Sequence, residues 1–344
     1  MTDGIAFYER LTARRACLLA AMALAACVTA MLDIATGPAF LTPATVVRSI
    51  LGWTEDRAVN AIVWTIRLPV ALMALVVGAT LGLSGVVMQT ILSNPLASCY
   101  TLGISAAAGF GAALAIVAGG VLPFASDYAI PLNAFVFAGI ACALVFLMGR
   151  LRGMTPEAMV LAGIALLFLF QALLSLLQFM ASPEALQQIV FWLFGSLARS
   201  TWGKIAIVGA ATAATVPILL ADAWRLTALK LGDDRARGLG VDVRALRLRC
   251  FVAISLLTGA AVAFVGTIGF IGLVAPHVAR MLVGEDQRIF LPASALFGAL
   301  LLSVSSIASK TIVPGAIFPI GIVTALIGVP FFVWLILSKQ RSYW

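Results

Sequence analysis

The sequence predicts an all-α polytopic membrane protein of about ten transmembrane helices with an inverted internal repeat. Three observations predict it. The 344 residues are 62% hydrophobic and 10% charged, with a mean hydropathy of +1.11, whereas a soluble domain carries about a quarter charged residues. The apolar residues fall in runs of roughly twenty, enough at about 1.5 Å rise each to cross a bilayer core. One glycine–proline pattern also occurs twice. Gly78 and Gly85 stand seven apart with Pro95 ten further on, and Gly259, Gly266 and Pro276 keep the same spacings. Chance in a glycine-rich chain is one reading. The other is an internal repeat, inverted because the second and seventh spans start on opposite sides.

The elements follow in order. Residues 1–15 are polar and carry Arg10, Arg14 and Arg15. The run from Ala16 to about Ile34 reads as the first span in preference to a signal peptide, with a cytoplasmic N-terminus by the positive-inside rule. Residues 35–60 form an outer loop. The second span is about Ala61 to Ile91. Its Gly78, Gly82, Ser84 and Gly85 make a smooth face that another backbone can approach closely. "SNPLA" ends it, because Pro95 disfavours the helical conformation at Asn94. The third span is about Leu96 to Ala118, and Gly119, Gly120 and Pro123 make a turn. The fourth runs from about Pro131 to Met148, before Arg150 and Arg152, and the fifth from about Pro156 to Met180. The apolar part of 182–201 is too short to span and reads as a short helix at the outer surface or partly inserted.

The sixth span is about Trp202 to Ala221. From Trp224 to Cys250 the chain carries Arg225, Lys230, Arg235, Arg237, Arg244, Arg247 and Arg249, which makes this loop cytoplasmic. The seventh span is about Arg249 to Thr267. The eighth, about Ile268 to Val283, is interrupted by Pro276. The ninth is about Leu291 to Ala308, the tenth about Ala316 to Leu337, and the tail is cytoplasmic. The whole chain, 1–344, is one transmembrane domain with repeat halves near 61–181 and 245–337.

Catalytic signatures are missing from the sequence. It has no GxxxxGK[ST] phosphate loop, no HExxH, no metal-spaced cluster and no nucleophile–base pair. Cys17, Cys27, Cys99, Cys142 and Cys250 lie in or beside apolar runs and read as small packing residues. The single histidine, His277, cannot make a metal site alone. The expectation is a protein without a cofactor or a metal that is not an enzyme. Its net charge of +8 belongs to cytoplasmic loops and implies no nucleic acid. Few ionisable residues fall mid-membrane, which argues against an ion-coupled carrier.

Several residues stand out against this background. Gln89 and Asn94 either satisfy backbone groups freed by Pro95 or line a path. Gln171, Ser175 and Gln178 recur at helical spacing on the fifth span, for interhelical bonding or for a path. "LGDDRARGLGVDVRALR" mixes Asp233, Asp234 and Arg237 with Ala236 and Gly240, four apart on one helical face. It is either a solvated basic loop or a docking helix. Arg67 is either an interfacial anchor or an outward-facing cation.

"RLP…GA…L..SG..MQ…NPLA….LGIS", "ARGLG", "G.IGFIGLVAPH.AR" and "FPIGIVTALIGVPFF" stand in this order from Arg67 to the C-terminal region. Together they resemble the FecCD family of ABC-importer permeases, with weaker similarity before Arg67. The resemblance implies a permease of the bacterial cytoplasmic membrane that works as a homodimer with a second copy around a central path. Its partners would be cytoplasmic ABC ATPase subunits and an extracytoplasmic substrate-binding protein. A ferric siderophore is the first-choice cargo, with haem and cobalamin as alternatives. An ion-coupled secondary carrier is the rival of another class.

The resemblance also implies that Ala236 and Gly240 mark the ATPase-coupling helix, and that the fifth span lines the path. It puts Arg67 among outward residues that meet the binding protein, and Lys310 where the family has a further arginine. Here the sequence departs from the family, with Val70, Ser306 and "IFP" at Ile317 to Pro319 replacing an arginine, an aspartate and an acidic motif. His277 reads as a cap on freed carbonyls in preference to a haem-iron ligand.

Overall fold

The computed structural model describes residues 2–38, 40–118, 126–312 and 317–337, and among these residues it is all-helical. The helices are α1 (Thr2–Ala35), α2 (Pro43–Ile50), α3 (Arg57–Ala61), α4 (Leu68–Ile91), α5 (Ile104–Val117), α6 (Ser126–Leu151), α7 (Pro156–Met180) and α8 (Pro183–Leu193). They continue as α9 (Trp202–Ala221), α10 (Ala223–Leu229), α11 (Asp233–Gly238), α12 (Val243–Val265), α13 (Ile271–Val283), α14 (Gln287–Thr311) and α15 (Ile320–Leu337). A π-helical turn, Ile62–Arg67, joins α3 to α4. Seven helical stretches are long and apolar enough to cross a membrane, and three shorter apolar ones fall at α5, α13 and α15. These segments follow the ten expected spans.

Capping explains the ends that agree. Pro156 occupies the first turn of α7 behind the Thr155 cap, and Thr201 caps α9, both strong start signals. Three ends differ. The third span begins only at Ile104. Helix α4 closes in a Schellman turn, with Ser93 N donating to Thr90 O and Asn94 N to Gln89 O, and Ser93 at φ 45°. The chain therefore leaves the helix before Pro95 acts. Helix α12 begins at Val243, because the Asp242 side chain accepts from Ala245 N. Pro276 does not interrupt α13 but lies within it. The carbonyl it leaves unpaired, Gly272 O, lies against Gly85, where an added Cβ would stand 1.9 Å away. The turn expected at Gly119–Pro123, the Ala316 start of the tenth span and the tail beyond Leu337 lie outside the described residues.

Helix α4 is the centre. It is buried along most of its length and packs on α14, α13, α12, α9 and α1. The expected small-residue face is present as backbone contact. A Cβ on Gly78 would sit 2.3 Å from Gly298 O, and one on Gly82 would sit 2.2 Å from Ser294 O. Such approach is the packing available where lipid removes the hydrophobic drive between helices. Helix α12 packs against α6, where Gly259 faces the side chains of Phe135 and Ala138. Helices α6, α7 and α9 turn large apolar side chains outward, among them Leu161, Phe168 and Phe179.

Candidate translocation and coupling sites

One mouth, the outer one under the expected orientation, lies where α1 ends and α4 begins. The last carbonyls of a helix have no intrahelical partner, and Arg67 serves those of α1. Its Nη1 donates to Ile34 O at 3.0 Å and to Ala35 O at 2.9 Å. Arg67 is only 6% exposed. The sequence expectation of an outward charge is corrected here, because the π turn and the helix-end carbonyls bring the guanidinium inward. Lys310 is engaged as well. Its Nζ donates to Asp33 Oδ1 at 2.8 Å and to Asp33 O at 3.1 Å, while Ser306 Oγ donates to Asp33 Oδ2 at 3.0 Å. The acid that the sequence lacks at Ser306 thus arrives from α1 as Asp33, which is fully buried. Arg67, Lys310, Ser309, Ser196 and Phe318 line a cavity of about 120 Å³ at this mouth. Arg48, Arg57 and Arg199 are exposed at the same end.

The same end is tied together through backbone. Ser196 N donates to Val265 O at 2.8 Å and Gly321 N to Phe194 O at 3.0 Å. Gly195 is at φ 72° and Gly266 at φ 76°, and a Cβ on Gly266 would meet Trp192 O at 2.3 Å. The segment after α8 therefore sits on the end of α12 and the start of α15, while α8 itself packs on α5.

The polar residues proposed for a path divide into two groups. Gln89 is 2% exposed and faces α13, where its Oε1 accepts from Arg280 Nη2 at 3.0 Å. Asn94 caps the turn after α4, its Oδ1 accepting from Leu96 N at 2.9 Å. Asn94 is half-buried. On α7, by contrast, Gln171 and Ser175 are exposed and Gln178 is half-buried. They form one polar stripe on an otherwise apolar outer face. His277 is buried, with its ring edge-on to Phe331 and Phe332 at 6.1 and 6.5 Å.

At the end expected to face inward, α11 is six residues long and stops at Gly238. Ala236 is fully buried, whereas Gly240 lies beyond the helix at φ 83° with open space around it. The expected single face bearing both residues is therefore not formed: Ala236 packs inward. The outer surface of this segment is made by Asp234, paired with Arg237 at 2.9 Å, and by the half-exposed Leu239. Asp233 turns the other way, toward α12. Its carboxylate accepts from Arg247 Nη1 at 2.7 Å and Nη2 at 2.9 Å. Arg247, which sequence reasoning counted only among the loop cations, is the largest fully buried side chain.

Comparison with known proteins agrees with this architecture. The profile of the FecCD transport family matches residues 20–338. The hemin transport system permease protein HmuU of Yersinia pestis is 39% identical over 296 residues, which is 86% of this chain and 89% of that protein. The Fe(3+)-citrate import system permease protein YfmE of Bacillus subtilis is 35% identical over 315 residues, covering 92% and 93%. A solved structure described as an inward-facing conformation of a metal-chelate type ABC transporter superposes with a TM-score of 0.82 at 36% identity, over 93% of this chain and 98% of that one. With α1, α9, α12, α13 and α14 packed around α4 and a match running nearly from end to end, this multi-pass membrane protein belongs to the FecCD transport family.

Proposed function

We propose that the chain is the membrane-spanning permease subunit of a bacterial inner-membrane importer for a ferric chelate, with a ferric siderophore the first choice. The observation that carries the reading is the likeness to the metal-chelate transporter over nearly the full length of both chains. Haem and citrate, named for the two relatives above, define the neighbouring choices, and cobalamin completes the set.

The subunit holds no nucleotide site of its own, and separate ATPase subunits dock on the surface of Asp234, Arg237, Leu239 and Gly240. Two copies associate through the outward face of α7. A polar stripe such as Gln171, Ser175 and Gln178 is costly against lipid and is satisfied by facing a second copy or a water-filled path. Parity of the spans, with α4 contacting α14 and α12 contacting α6, supports an inverted repeat with halves near 61–181 and 245–337. An extracytoplasmic binding protein docks on the outer end. Exposed Arg48, Arg57 and Arg199 supply the charges that steer it, while Arg67 and Lys310 hold the mouth in shape behind them. Both termini are cytoplasmic.

The test is uptake in proteoliposomes that contain the permease, its ATPase and its binding protein. The panel comprises a ferric hydroxamate, ferric citrate, haem and cobalamin. The expected result is ATP-dependent uptake of a ferric siderophore that survives collapse of the proton and sodium gradients. Uptake that follows the ion gradient and needs no ATPase would overturn the reading in favour of a secondary carrier.

A further inference from the structure

We propose that Arg247 is the positioning residue that makes the ATPase-facing helix α11 move as one body with the inner ends of α4 and of the α6–α7 hairpin. The inference deepens the proposed function and rests on the reading that ATPase subunits dock at α11. Three segments far apart in sequence meet on this one guanidinium. Its Nη1 and Nη2 grip Asp233, the first residue of α11, in a two-point ion pair. Its Nε donates to Ile91 O, the last residue of α4, at 3.2 Å. Its Nη1 also donates to Met154 O at 2.7 Å. Met154 sits at φ 63° in the turn between α6 and α7, its own N–H closing on Gly149 O.

The chemistry suits a mechanical tie. A planar guanidinium offers five donors in a fixed fork, so it can hold a carboxylate and two carbonyls in one geometry. The carbonyl of Ile91 is one that an α-helix leaves unpaired, and a cation is favoured at a helix C-terminus. The side chain of Arg247 is 0% exposed, with Asp233 28% exposed, so water does not reach the guanidinium to compete for the carbonyls. Moving α11 alone would strand a buried charge, and moving it together with α4 and the α6–α7 turn would not. A second tie runs in parallel from the same loop. Lys230 pairs with Glu285, Glu285 with Arg280 at 3.1 Å, and Arg280 Nη2 donates to Gln89 on α4 at 3.0 Å. Both ties leave the segment 230–240 and both end on the last turn of α4.

The experiment compares wild type with Arg247→Lys and Asp233→Asn in the reconstituted complex. Lysine keeps the charge but cannot hold the carboxylate and both carbonyls together. Asparagine cuts only the tie to α11 and leaves Arg247 on its two carbonyls. The first readout is cargo moved per ATP hydrolysed, with a ⁵⁵Fe-labelled ferric hydroxamate. The second needs no cargo: the distance between spin labels at the exposed Leu231 and Leu96, with and without nucleotide trapped on the ATPase.

In wild type the interspin distance should not change with nucleotide. In both variants it should change, while ATPase subunits still co-purify and cargo per ATP falls by about fivefold or more, the lower end of ordinary coupling effects. A merely structural Arg247 would lower the yield of folded complex and leave both readouts at wild-type values. That result overturns the proposal. Should Arg247→Lys give no folded permease, Asp233→Asn decides by the same two readouts. Failure of the docking reading shows itself separately, as Leu239→Glu leaving ATPase co-purification and hydrolysis unchanged.

Discussion

Replacing Lys310 by methionine should destabilise the folded permease by about 3–5 kcal/mol, the cost of removing one partner from a buried ion pair. The geometry places it in that range. Asp33 is 0% exposed and Lys310 has a side chain only 10% exposed. Without the ammonium the Asp33 carboxylate keeps a single side-chain donor, Ser306 Oγ at 3.0 Å. At about 1.4 kcal/mol per factor of ten, the unfolding constant should rise by roughly two to four orders of magnitude. The double variant Asp33→Leu/Lys310→Met removes both charges and should recover most of the loss, since apolar replacement of a whole buried pair is often neutral or better. The assay is equilibrium unfolding of the purified permease in mixed micelles, run as a double-mutant cycle over the four proteins. A cost below about 1 kcal/mol for Lys310→Met, the worth of an exposed pair, would refute the reasoning. It would mean that water reaches the pair and that α1 is not locked to α14.

The remaining predictions concern the middle and the inner face. Gly298→Leu should cost at least the ~1–3 kcal/mol of ordinary overpacking, because its Cβ would stand 2.2 Å from Gly78 O and only separation of α4 from α14 relieves that. Thermal unfolding in detergent measures it, and a neutral result would disprove the close crossing. Leu239→Glu adds a charge to a half-exposed apolar tip without entering the core, so membrane insertion should stay normal while ATPase co-purification falls. Gly240→Trp is a poorer probe of the same surface, because any side chain at φ 83° carries backbone strain of its own.

Much of the fold was legible because membrane spans announce themselves by length and caps. The ends at Pro156, Met180, Trp202 and Ala221 follow from proline, threonine caps and polarity. The start of α5 was not legible, since its cause is a left-handed serine at position 93, and serine is not the residue that signals such a turn. The site was read less well, for one recurring reason. A cation in a sequence looks the same whether it faces water or a helix end. Arg67 was legible as a special residue, but its direction depends on a π turn that has no clear sequence signature. Asp33 could have been found by asking which acid pairs with Lys310 once Ser306 replaces the nearer one. Arg247 could have been found by phase, since it shares a helical face with Cys250, Ile254 and Leu257, all of them buried. Ala236 misled because alanine suits a buried position as well as a docking face.

The two kinds of contact on α4 imply a division of labour along its length. Its middle meets α14 and α13 backbone to backbone at Gly78, Gly82 and Gly85, with no side chain between them to rearrange. Contacts of that kind give little under a small push, because packed interiors transmit strain. Its inner end is held instead by charged groups, Arg247 on Ile91 O and Arg280 on Gln89, which tie it to neighbouring segments through side chains. Under the proposed coupling, a displacement at α11 enters α4 through the inner charged ties. The glycine crossing then passes it to α14 without loss to bending. Helix α14 ends at Lys310, paired with Asp33 on α1 at the outer mouth. The same rigid pair of helices is thus gripped by buried ions at both faces of the membrane, so ATPase movement at one face need not cross a soft layer to reach the other.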